Sequence, residues 1–179
     1  MLGSQAGGSR FPRSLAVALA LATVTLATSG CGYTLRAPFD PEVQTVYVPI
    51  FRSISFRRDV NLMLTELVQK EIERRSTFKV VGTPDGADTI LDGTINFADK
   101  NIVVENPFNL PRQLTATLNA TVNWTHNPPT AEELAPGHAT IVAESVNFVP
   151  EIGETSETAF YRACQALAKQ IVDMMESPW

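Results

Sequence analysis

Two histidines, His126 and His138, flank a proline-rich loop that also carries Glu132 and Glu133. Imidazole and carboxylate groups of this kind suit zinc, but their spacing matches no known ligand arrangement. Cys164 falls at an apolar position of an amphipathic segment, where a free thiol is usually a small buried hydrophobe and not a nucleophile. Asp88 and Asp92 stand four apart around a strand start and read as solvated turn and edge groups. Asn119-Ala-Thr and Asn123-Trp-Thr fit a glycosylation pattern, but both lie within a strand. No nucleophile elbow, phosphate-cradling loop or Cys-X-X-Cys pair occurs. The expectation is a chain without catalytic residues, metal or cofactor, one that binds or assembles and does not act as an enzyme.

Cys31 stands in a different context. Arg10 and Arg13 precede an uncharged apolar run over residues 15–27, and Thr28, Ser29 and Gly30 then lead into the cysteine. As a helix that run rises only about 20 Å, too short for a bilayer but right for the apolar core of a secretory signal. Small residues before a cysteine, after such a run, resemble the processing box of bacterial lipoproteins, with Thr28 where Leu is usual and Leu26 two residues earlier. The resemblance implies a signal peptide over 1–30, cleavage before Cys31, a diacylglyceryl group on its sulfur and an acyl chain on its new amino terminus. Each buried CH₂ adds about 0.8 kcal/mol, so several chains hold firmly where one binds reversibly. Gly32, in place of Asp, follows the cysteine, the pattern that directs such lipoproteins to the outer membrane. No later apolar run approaches the ~18 residues a membrane span needs.

Removing residues 1–30 leaves 149 of the 179, enough for one domain with a core of its own. The formal net charge of −5 becomes −7 once Arg10 and Arg13 leave, because the signal holds no acidic residue. An acidic domain is a poor candidate for binding nucleic acid. With Cys31 lipidated, Cys164 has no partner for a disulfide.

The elements that position these groups follow from periodicity. Residues 31–43 form an extended leader, and 44–179 a single domain. A strand is expected at 44–50, where Val46 and Val48 oppose Thr45 and Tyr47. Asp59 then caps a helix to about Arg75, with Val60, Met63, Leu64, Leu67, Val68 and Ile72 in one apolar stripe. A short strand covers 78–81, and Pro84 and Gly86 mark a turn. The next strand, 89–98, places Leu91, Gly93, Ile95 and Phe97 on one face; residues 99–101 either turn the chain into 102–105 or form a bulge in one longer strand. A loop bounded by Pro107 and Pro111 follows. Residues 114–125 alternate strictly, Leu, Ala, Leu, Ala, Val and Trp against Thr, Thr, Asn, Thr, Asn and Thr, so one face is buried and the other is polar without a charge. A last strand spans 139–148, and a second amphipathic helix, 156–175, carries Phe160, Ala163, Leu167, Ile171 and Met174 inward. The order β-α-β-β-β-β-α argues for an α+β two-layer sandwich, a sheet of four to five mostly antiparallel strands with both helices on one face.

Several segments together resemble the LptE family, the lipoprotein of the outer-membrane lipopolysaccharide translocon. They are Cys-Gly-Tyr-Thr-Leu-Arg over 31–36, Thr-Val-Tyr-Val-Pro-Ile-Phe over 45–51, Leu64-Thr-Glu-Leu with Glu71-Ile, Phe-Lys-Val-Val over 78–81, and Ala87-Asp88 followed by Ile-Leu-Asp-Gly-Thr-Ile over 90–95. The resemblance implies a domain that sits inside a large β-barrel partner, usually called LptD, as a plug, helps it assemble and contacts lipopolysaccharide. Lys100 and Arg112, flanking the proline-bounded loop, are the candidate cations for lipopolysaccharide phosphates. A Val-X-Val-X-X-Phe strand followed by a helix also occurs in lipoprotein regulators of cell-wall synthases and in secretion-pore components, which form the alternative reading; Val46, Val48 and Phe51 fit that frame.

Overall fold

The computed structural model describes residues 39–57, 59–108 and 110–176. The signal peptide, Cys31 and the first part of the leader lie outside the described residues. Six strands and two helices follow in the order β1 (Thr45–Tyr47), β2 (Arg52–Ser53), α1 (Asp59–Arg75), β3 (Lys79–Val81), β4 (Thr89–Glu105), β5 (Pro111–His126), β6 (Thr140–Phe148) and α2 (Ser156–Met174), with a 3-10 turn at Pro150–Ile152.

The strands make one mixed sheet in the order β3-β1-β4-β5-β6, with β2 also beside β4. β4, β5 and β6 form an antiparallel meander. β1 is parallel to both β3 and β4, and β2 is parallel to β4. The parallel half follows from connectivity, since a helix-length crossover such as α1 returns the chain to the end it started from. β2, only two residues long, is the strand beyond the expected five and is too short to leave a periodic signature.

Both helices cover one sheet face. Val60, Leu64, Val68 and Ile72 of α1, and Phe160, Ala163, Leu167 and Ile171 of α2, share a core with Val46, Leu91, Ile95, Ala116, Leu118, Ala120 and Val122. Asp59 is the first residue of α1, and its carboxylate favours the positive end of the helix dipole. The Thr155 hydroxyl caps α2 by accepting the Thr158 N–H at 3.2 Å. Neither helix is long and apolar enough to cross a membrane.

The region left open between a hairpin turn and a bulge resolves as one long strand. β4 runs unbroken through 99–101, with register shifts between Ile95 and Phe97 and again near Val104. The first shift corrects the expected face of Phe97. A bulge inserts one residue and reverses the alternation beyond it, so Ala98 takes the buried position and Phe97 faces solvent at 43% exposure.

Candidate partner-binding face and loop clasp

Among the described residues, no helix covers the opposite sheet face. Across β5 it presents Thr115, Thr117, Asn119, Thr121, Asn123 and Thr125, each half-buried by its neighbours, while the residues between them from Leu114 to Val122 are fully buried. On β6 the register sets Ile141, Ala143, Ser145 and Asn147 beside them. On β4 the neighbours are Asp92, Thr94, Asn96, Phe97 and Asp99. Asp92 and Asp99 are the charges among these residues.

Its polar groups bind one another. The Asn96 Nδ2 donates to Asn119 Oδ1 at 2.9 Å and to Thr121 Oγ1 at 2.7 Å. The Thr117 and Ser145 hydroxyls lie 3.2 Å apart, and the Thr115 hydroxyl donates to Asn147 Oδ1. A face so connected is largely polar and carries little charge, and it keeps little side-chain entropy to lose on contact.

The two candidate cations are not brought together. Lys100 sits opposite Ala116 on β5, four residues from Arg112, which is about 13 Å along a strand. Lys100 is exposed. Arg112 lies 3.3 Å from Glu151, and with both side chains about half-exposed that pair stabilises little.

The histidine loop turns out to be a clasp built on Glu133. Its Oε1 accepts the His126 N–H at 3.0 Å and lies 2.6 Å from His126 Nδ1, while its Oε2 accepts the Thr130 N–H at 2.7 Å and the Thr130 hydroxyl at 2.9 Å. Burial pushes the Glu133 carboxyl up, but these hydrogen bonds outweigh it and hold the group at about 2. His138 turns elsewhere, its Nε2 lying 3.0 Å from the Trp124 carbonyl. No group of three or more His, Cys, Asp or Glu among the described residues is arranged to hold a metal ion. Cys164 is buried, and burial pushes its thiol up to about 12, so the nucleophilic thiolate is suppressed.

Asp88 is exposed, as its sequence reading has it, but its carboxylate also binds the main chain of β1. Its Oδ2 accepts the Gln44 N–H at 3.0 Å and the Thr45 N–H at 2.8 Å, which fixes the start of β1 against the start of β4. Sequence reasoning also missed a set of exposed apolar side chains at one end of the molecule: Ile54, Phe56, Phe97, Ile102, Val103, Phe108 and Leu110. The available signal was the Ile-Val-Val run over 102–104, apolar at consecutive positions, followed by Phe108 between two prolines.

Comparison with known proteins agrees with this architecture. The model of the lipopolysaccharide-assembly family LptE matches residues 43–175. No curated protein matches the chain. Among solved structures, lipoprotein B from Nitrosomonas europaea is similar with a TM-score of 0.54 at 15% identity, over 82% of this chain and 91% of that one. The PelC dodecamer from Paraburkholderia phytofirmans gives a TM-score of 0.53 at 7% identity, over 79% of this chain and 96% of that one. At these identities the likeness is one of fold alone.

Proposed function

The chain belongs to the LptE lipopolysaccharide-assembly family, and from that premise we propose that it is a lipoprotein of the outer membrane, held there on its periplasmic side, that plugs an LptD-type β-barrel and helps deliver lipopolysaccharide through it. The observation that carries this reading is the bare sheet face of β4, β5 and β6, whose side chains are mostly Thr, Asn and Ser, with Phe97, Ile141 and Ala143 among them and Asp92 and Asp99 as its carboxylates. Barrel lumens are polar where their outer walls are apolar, so a polar, preorganised face matches the inside of such a partner. The role is one of assembly and binding, with no catalytic step.

Two further elements complete the proposal. Cys31, acylated on sulfur and nitrogen, anchors the chain in the membrane. Lys100 and Arg112 contact lipopolysaccharide phosphates; Lys100 is exposed for this, and Arg112 exchanges its Glu151 partner for the ligand.

Purification of the chain from detergent-solubilised membranes, with identification of what accompanies it, tests the reading. A large outer-membrane barrel is the expected companion, and a peptidoglycan synthase would support the regulator reading in its place. Charge reversal of both Lys100 and Arg112 is expected to weaken lipopolysaccharide binding; unchanged binding removes these two residues from the account.

A further inference from the structure

The edge of β4 that faces away from β5 is shared among short strands and then left open. β1 takes Thr89 and Ile90, and β2 takes Thr94 and Ile95. The Ile54 N–H closes this ladder on the Ile95 carbonyl at 3.1 Å. Beyond that point no strand of the described residues continues along the edge, although β4 runs on to Glu105.

Pairing parity identifies the groups left over. The Ile95 carbonyl points to the β2 side, so Ile95 faces away from β5. The bulge between Ile95 and Phe97 adds a residue, after which Ala98, Lys100 and Ile102, opposite Leu118, Ala116 and Leu114, turn their main-chain groups outward. The Lys100 N–H agrees with this assignment, for it donates to the Asp99 carboxylate at 2.8 Å. Where β2 departs, a cleft of about 350 Å³ opens beside the same edge, lined by Ile54, Phe56, Arg57, Phe97 and Asp99 among others. Ile54 is 72% exposed and Phe56 wholly so.

We propose that this open edge and cleft take up an extended segment of another protein, which adds a strand in line with β2. Main-chain bonds to Ala98, to Ile102 and to the Lys100 carbonyl would hold it, an apolar side chain would fill the cleft between Ile54 and Phe56, and a cation would meet Asp99. Asp99 takes part in none of the ion pairs of the described residues. A second copy of this chain is the weaker candidate, because the chain is acidic, at −5, and two copies repel each other overall. Identifying the segment's owner as the barrel rests on the plug reading; the strand addition itself rests on the edge and cleft.

The test places a photoreactive phenylalanine analogue at Phe97 of the full chain and irradiates it in its own membranes. The expected adduct maps to an extended segment, apolar at alternate positions, of the co-purifying barrel. Ile102→Pro, which removes one outward N–H from an edge where proline is tolerated, should lower the adduct yield about tenfold. Ile102→Ala, which trims the side chain but keeps the N–H, should preserve it. Ile54→Glu, at an exposed position that leaves the core intact, should lower it as well. No adduct, an adduct to lipid or to a second copy, or a yield unchanged in both Ile102→Pro and Ile54→Glu overturns the proposal. Companions of the unaltered chain are read separately. A barrel present without the adduct overturns strand addition alone. A barrel absent, with an Ile102-dependent adduct to an extended segment of another protein, overturns the plug reading and leaves strand addition supported.

Discussion

Asp88 and Thr45 hold each other from both sides: the Asp88 carboxylate accepts the Thr45 N–H at 2.8 Å and its hydroxyl at 2.9 Å, while the Thr45 Oγ1 accepts the Asp88 N–H at 2.9 Å. The Gln44 N–H and then these Thr45 donors keep the Asp88 carboxyl below the usual carboxylate range. This clasp pins β1 to β4 at the point where the leader joins the domain. Because the folded value lies below the unfolded one, its stabilisation is present above the ordinary carboxylate pKa and is lost as pH falls through the folded value. Asp88→Asn should lower the thermal midpoint at pH 7, and the gap to the parent chain should close in acid. A gap that persists unchanged in acid would show that the carboxylate charge is not what matters.

Thr65 is a buried hydroxyl with a defined task. It accepts the buried Phe51 N–H at 3.0 Å and donates to the Asn61 carbonyl at 2.7 Å. Thr65→Val keeps the shape and strands that N–H, which should cost about 1–3 kcal/mol in urea unfolding. Thr65→Ser, which retains the acceptor, should recover most of it.

Gly93 lets the Phe51 ring lie directly on β4. A Cβ built at Gly93 would stand 3.1 Å from the ring, closer than ordinary contact. Gly93→Val should therefore destabilise by about 1–3 kcal/mol through overpacking. Combining it with Phe51→Leu should return part of that loss, which denaturant melts of the single and double variants would measure.

Glu133 organises the loop between β5 and β6, and its carboxyl stands at about 2 against an ordinary 4.5. The loop's order should hold above pH 4.5 and fade as pH falls toward 2. Glu133→Gln should bring loop cleavage by protease forward at neutral pH, while the midpoint of global unfolding moves little. Protection equal to that of the parent chain would contradict the clasp.

Much of this fold was legible in the sequence because its long elements carry clean periods. The alternation from Leu114 to Val122 put each of those residues on its correct face, although β5 starts earlier, at Pro111, and the three- and four-residue spacings located both helices. What escaped was set by tertiary pairing. β2 is two residues held only by β4, and Phe97 changes face through a bulge that alternation alone does not reveal. The candidate site divided in the same way. The uncharged Thr/Asn row was visible as a pattern, whereas the Asp88 and Glu133 clasps join residues 43 and 7 apart to side-chain geometry that no local pattern encodes.

The central claim is that the bare sheet face meets a barrel, and Thr117→Arg tests it most directly. Thr117 lies within that face, and among the described residues its hydroxyl hydrogen-bonds Ser145 alone, so the substitution should leave the thermal midpoint nearly unchanged. The measurement is the amount of outer-membrane barrel that co-purifies with the chain. The account predicts a large loss of barrel from a folded Thr117→Arg chain; barrel recovered in undiminished amount would contradict it.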